Sequence, residues 1–194
     1  MSRVRQPPII TTDKWGAMPA KAPVIWLGRP DRVIFHHTAG HHAEISNTKD
    51  ESRAEAIRYA RDIQAFHMGP DRGWNDSGHN FLVCRNGLIL VGRHQSYTAI
   101  RKGRMVLSAH CPGQNDQPGI EHEHNGSEQM TKAQFAASAR LIAWIIDCCK
   151  MRGAGVIHPH HEFFPTSCPG VLEREFPALK TAVAQIIREA TPGI

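Results

Sequence analysis

The chain has 194 residues, 41% of them hydrophobic and 21% charged, which is enough for one domain with a sizeable core. No apolar run approaches a membrane span, and Met1-Ser-Arg-Val-Arg-Gln-Pro-Pro8 lacks the apolar core of a signal peptide, so synthesis in the cytoplasm without an export signal is expected. The formal charge of +5 is spread out, without a block of lysines or arginines, and describes an ordinary basic surface as well as one suited to a polyanion such as a cell-wall polymer or nucleic acid. Neither a membrane nor a nucleic acid is expected as partner, and a monomer is expected. The cysteine count of five is odd and includes the adjacent Cys148 and Cys149, against a disulfide framework. Thirteen histidines are the anomaly that asks for an explanation.

Residues 1–30 are rich in proline and read as an extended arm over the domain, with Trp15 and Trp26 as anchors. Arg32-Val-Ile-Phe-His-His-Thr38 is a short β-branched and aromatic run typical of a buried strand. Side chains alternate across a strand, so only one of His36 and His37 can face a given site. Ala39 to Asp50 is polar and loop-like. Ser52-Arg-Ala-Glu55 then has a capping-box pattern, and Ile57, Ala60, Ile63 and His67 continue at helical spacing up to Gly69-Pro70. His79-Asn-Phe-Leu-Val-Cys84 and Leu88-Ile-Leu-Val-Gly-Arg93 flank the turn Arg85-Asn-Gly87 and predict a β-hairpin.

Residues 94–118 read as irregular, apart from a short strand at Met105-Val-Leu107. Gly119-Ile-Glu-His-Glu123 reads as a strand with Glu121 and Glu123 on one face, Glu123 being solvated. Thr131-Lys-Ala-Gln134 has a second capping-box pattern. It opens a helix whose stripe of Phe135, Ala139, Ile142, Ile145, Ile146 and Cys149 makes Cys149 a core residue. After a short strand at Val156-Ile157, a final amphipathic helix carries Phe176, Leu179, Val183, Ile186 and Ile187.

Between those last two elements lies His158-Pro-His-His-Glu-Phe-Phe-Pro-Thr-Ser-Cys-Pro-Gly170. Imidazoles and a thiolate on so rigid a turn are donors that zinc prefers. The stretch reads equally as a histidine-rich surface loop with a buried cysteine, and a third donor from elsewhere is needed to decide between the two.

Four ordered blocks supply the wider context: Val33-Ile-Phe-His-His-Thr38; His67-Met with Arg72-Gly-Trp-Asn-Asp-Ser-Gly-His-Asn-Phe-Leu-Val83, Asn86-Gly87 and Gly92-Arg93; His110, Gly113, Asn115 and Gly119-Ile-Glu121; and His160 with Thr166-Ser-Cys-Pro-Gly170. Together they resemble the zinc-dependent N-acetylmuramoyl-L-alanine amidases, a family shared by phage lysozymes and animal peptidoglycan recognition proteins. The resemblance spans roughly residues 32–180. It implies an α/β fold, a central mixed, mainly β-sheet flanked by three main helices, so that residues 31–194 form one catalytic domain behind the arm.

The same resemblance implies one Zn²⁺ held by His36, His160 and Cys168, with bacterial peptidoglycan as partner. It places Thr166 as the oxyanion donor. Glu121 stands where cytoplasmic muropeptide amidases have a glutamate, and His79 stands where phage lysozymes have a tyrosine, so both are candidate proton-transfer groups. His110 and Asn115 match a turn lining the substrate cleft, and Arg72 and Trp74 sit near it in relatives. His41, His42, His122, His124 and His161 are left as surface or supporting residues. The implied activity is hydrolysis of the amide between N-acetylmuramic acid and L-alanine, as in a phage endolysin reaching the wall from the host cytoplasm. The alternatives are an intracellular muropeptide amidase and a non-catalytic peptidoglycan receptor.

Overall fold

The computed structural model describes residues 3–39 and 52–191; the expected polar loop after Ala39, with His41 and His42, lies outside the described residues. Among the described residues seven strands follow one another: β1 (Trp26–Leu27), β2 (Val33–His37), β3 (Phe81–Val83), β4 (Ile89–Val91), β5 (Met105–Val106), β6 (Gly119–His122) and β7 (Ile157–Pro159). Five of them form the central sheet in the spatial order β4-β3-β6-β2-β7, while β1 and β5 pair separately. Within this sheet the run from β3 through β6 and β2 to β7 is parallel and the β3–β4 hairpin antiparallel; the separate β1–β5 pair is also antiparallel. Gly87, at φ 84°, supplies the left-handed residue that the hairpin turn needs.

Three main helices flank this sheet, as expected: α2 (Arg53–Met68), α4 (Lys132–Cys148) and α5 (Phe176–Glu189). Among the described residues two short ones accompany them, α1 (Thr12–Trp15) in the arm and α3 (Ser96–Arg101). The alternation of strand side chains decides which helix covers which face. Val33, Phe35, Phe81, Val83 and Ile120 pack on Leu141, Ile142 and Ile145 of α4 and on Leu179 and Val183 of α5. Leu82 and Leu90 face the other way, onto Ala56, Tyr59 and Ile63 of α2 and onto Ile10 and Trp15 of the arm.

The arm is thus part of the core. Trp15 is buried and donates its indole N–H to Val91 O at 2.8 Å. Ile10 bridges to Leu90 at the open edge of β4, and Trp26 sits in β1.

Local signals account for most element ends. Ser52 and Glu55 form the expected reciprocal cap of α2. At α4 the expectation is half met: Thr131 caps the Gln134 N–H, but the Gln134 side chain turns inward and donates to Val83 O and Glu123 O, both at 3.0 Å. Buried carbonyls at the strand ends need a donor, and Gln134 satisfies them.

Other expectations fail. The stretch 94–118 was expected to be irregular but holds α3, too short to show a periodic stripe, buried at Ala99 and Ile100 and tied by Asn80 Nδ2 to Ser96 Oγ at 3.0 Å. Glu123, expected in solvent, is buried and accepts the Arg85 N–H at 3.2 Å. His122 and His124 are core residues rather than surface ones. His122 stacks on Phe35 with centroids 3.7 Å apart, donates Nδ1–H to His36 O at 2.9 Å and accepts from Ser138 Oγ at 2.8 Å. Burial pushes its pKa down to about 3, so it packs as a neutral ring.

Asp76 ties several of these elements together. Its buried carboxylate accepts from Gln64 Nε2 at 2.9 Å, Ser77 N at 2.8 Å, His94 N at 2.7 Å and His94 Nδ1 at 2.8 Å. Burial raises its pKa, but the His94 contacts and the Gln64 amide outweigh burial and hold it below the usual carboxylate range. Asp76→Ala strands these donors and is expected to cost about 3 kcal/mol, seen as a lower urea midpoint at pH 7. A change under about 0.5 kcal/mol, the size of an ordinary surface substitution, would contradict this account.

Candidate metal centre

Three adjacent strands run parallel, and their register assembles the site. His36 of β2 pairs with Glu121 of β6, and Phe35 pairs with Pro159 of β7, so that His160 follows next to His36. Paired residues of a parallel ladder point to the same face, which puts His36 and Glu121 side by side. His37 pairs with His122 on the opposite face. The site therefore lies at the carboxyl ends of the parallel strands, the usual position for a ligand crevice in α/β sheets.

Cys168 arrives on the turn after β7. Its Sγ accepts the His37 N–H at 3.3 Å and lies 3.9 Å from His36 Nδ1. The Cys168 N–H in turn donates to Thr166 Oγ1 at 3.2 Å, so this hydroxyl oxygen braces the turn beside the thiol. The His160 ring lies with its centroid 4.3 Å from that of His36 and stacks on Phe164 at 5.8 Å. Its Nε2 is buried with no hydrogen-bond partner among the described residues.

One nitrogen each from His36 and His160 and the Cys168 sulfur lie within 4.8 Å of one another. A buried nitrogen without a partner beside a thiol and a second imidazole is a donor set that fits zinc. Burial, with His110 and His160 adding to it, holds the His36 pKa well below its ordinary value; burial likewise lowers that of His160. Both rings are neutral at pH 7, as ligands must be. Burial pushes the Cys168 thiol up to about 12, so the sulfur keeps its proton until a cation arrives.

A second group adjoins the first. Glu121 Oε2 lies 2.9 Å from His79 Nδ1, with side chains 14% and 2% exposed respectively. His79 is packed against Gly92, where a Cβ would sit 2.6 Å from its Nε2, so no other residue leaves room for the ring. Burial raises the Glu121 pKa, but His79 first, then His67 and His110, outweigh it and hold the carboxyl at about 2. Glu121 is therefore ionised at neutral pH.

The other expected residues take up distinct places. His110 is buried behind His36 rather than lining an open cleft; its Nδ1 lies 2.9 Å from His36 Nε2 and its Nε2 lies 2.9 Å from Gln117 O. Asn115 holds the turn, accepting Cys111 N on its side chain at 2.9 Å and Ser108 Oγ on its carbonyl at 2.8 Å. Trp74 stacks on His67 at 4.7 Å, and the exposed Arg72 lies over the Trp74 ring at 5.6 Å. His158 and His161 stand apart from the donors, 2.7 Å from Glu162 and 2.9 Å from Glu173 respectively.

His67 and Gln117 carry roles that sequence reasoning missed. His67 sat inside an apolar helical stripe, yet its Nδ1 accepts the Gly78 N–H at 3.2 Å and its ring faces His79. Only its position one turn after Ile63 placed it on the sheet side of the helix.

This chain belongs to the N-acetylmuramoyl-L-alanine amidase family, whose profile matches residues 27–171. Peptidoglycan-recognition protein SC2 of Drosophila simulans is 27% identical over 164 residues, covering 84% of this chain and 80% of the relative. Among solved structures, a point mutant of Drosophila PGRP-LB in complex with tracheal cytotoxin superposes with a TM-score of 0.72 at 28% identity, covering 88% of this chain and 93% of the other. An endolysin N-acetylmuramoyl-L-alanine amidase, LysCS from Clostridium intestinale, shares the fold with a TM-score of 0.65 at 20% identity, covering 90% and 96% of the two chains.

The donor chemistry predicts how binding responds to pH. Above pH 7 the two imidazoles have no proton to lose, whereas the Cys168 thiol does. Zinc affinity should therefore rise about tenfold or more per pH unit between pH 7 and 9, with about one or more protons released per ion. Calorimetry in buffers of different ionisation enthalpy measures that release. Cys168→Ala should abolish stoichiometric binding; a zinc-replete variant would show that the sulfur is not a ligand.

Proposed function

We propose that this protein is a zinc-dependent N-acetylmuramoyl-L-alanine amidase, hydrolysing the bond between N-acetylmuramic acid and the L-alanine of bacterial peptidoglycan. The observation that carries this reading is the convergence of His36, His160 and Cys168 beside an ionised carboxylate at the strand ends. When bound there, zinc supplies Lewis-acid polarisation of the scissile carbonyl and a water of lowered pKa.

The chain's own residues do the rest. Glu121 is ionised and is the more open member of its pair, so it is the group we assign to take the proton of the attacking water and to pass one to the leaving amine. His79 is too buried to meet substrate and instead orients that carboxylate. The Thr166 O–H, beside Cys168, is assigned to the oxyanion. Arg72, exposed over the Trp74 ring, offers a cation that suits an acidic stem peptide. We further propose an endolysin role, acting at the wall after synthesis in a host cytoplasm.

A receptor that binds peptidoglycan without cleaving it is the second reading, favoured by the likeness to recognition proteins. Purified peptidoglycan followed for new N-terminal alanine, with chelator and with restored zinc, separates the two. The enzyme releases alanine only with zinc, while sedimentation with the wall but no release supports the receptor. In the same assay Glu121→Gln should lower kcat/KM about 10²- to 10⁴-fold with zinc content unchanged. Full activity in that variant would remove Glu121 from the proton transfer.

A further inference from the structure

We propose that His110 is the positioning residue that decides which nitrogen of His36 is offered as donor, through a hydrogen-bond relay from Gln117 to His110 to His36. The inference rests on the metal reading for its consequence but stands on hydrogen-bond geometry that holds in the metal-free protein.

The relay has only one consistent direction among neutral rings. The carbonyl of Gln117 can only accept, so the His110 nitrogen 2.9 Å from it, Nε2, carries the hydrogen. The Nδ1 of a neutral His110 then holds a lone pair and must accept from the nitrogen 2.9 Å away, which is His36 Nε2. His36 is thereby held with hydrogen on Nε2 and a lone pair on Nδ1, the atom 3.9 Å from Cys168 Sγ. The two rings meet edge to face, centroids 4.8 Å apart, and both are buried where no solvent competes for these bonds.

The surroundings keep the relay in place. A Cβ on Gly119 would sit 2.4 Å from the His110 ring, so glycine there leaves the space that the ring fills. The Gln117 side chain accepts from Asp31 N at 3.0 Å and Arg32 N at 3.2 Å, the two residues that lead into β2. The residue that starts the relay therefore also pins the strand that carries His36. A ligating histidine whose second nitrogen is so held binds metal more tightly, and losing such a partner typically costs 10- to 100-fold in affinity.

Two measurements test this. Long-range ¹H–¹⁵N spectra of the metal-free protein at pH 7 should show His36 and His110 both with hydrogen on Nε2; His36 with hydrogen on Nδ1 overturns the proposal whatever the metal does. Zinc affinity by chelator competition should fall 10- to 100-fold in His110→Ala and recover most of that loss in His110→Asn, whose Oδ1 can accept in place of Nδ1. Equal affinity in a folded His110→Ala, or no recovery with Asn, also overturns it. Where His110→Ala fails to fold, the wild-type spectra and the Asn variant decide. A wild-type chain that shows the expected tautomers yet takes up no zinc would refute the metal reading and leave the relay standing.

Discussion

Parallel pairing between β7, β2 and β6 is the constraint on which the site depends. The ladder sets Phe35 against Pro159 and His36 against Glu121, so residues far apart in the chain reach one level of one face. A slip of one residue in β2 would turn His36 towards α4 and α5 and bring His37 to the cleft. The register is held by what lies on the other face, where Val33, Phe35, Ile120 and Ile157 are fully buried against α4 and α5. The apolar half of each strand thus fixes the position of its polar end.

Around that level, the histidines divide by surroundings rather than by sequence. His122 is bonded at both nitrogens and stacked in the core, His110 is bonded at both and placed behind His36, and His160 has a buried nitrogen with no partner among the described residues. A nitrogen left without a partner is costly in a protein interior, so the cluster favours a ligand that supplies the missing bond. The thiol of Cys168, pushed up by burial, is equally unsuited to stay charged alone. A cation bound by this sulfur would have to displace its proton.

Much of this architecture was legible in the residues. The β-branched run ending at His36, the Ser52 cap, the hairpin turn at Asn86-Gly87 and the stripe of the last helix are local signals, and the structure follows each of them. The surroundings of His110, Glu123, His122 and Gln134 were not legible, because burial and partner choice at the strand ends are set by neighbours distant in sequence. Short elements such as α3 escaped for a related reason: six residues show no period, and tertiary contacts stabilise them. The ordered motif blocks pointed to the candidate donors His36, His160 and Cys168, which spacing within His158 to Gly170 had left open.

The central claim is that two imidazoles and one thiolate from these strand ends hold a single zinc ion. X-ray absorption at the zinc edge of the reconstituted protein tests it most directly. The account predicts one sulfur at about 2.3 Å and nitrogen or oxygen donors at about 2.0–2.1 Å, two of them with the scattering signature of imidazole. A spectrum with only light donors, or with more than one sulfur, would contradict it.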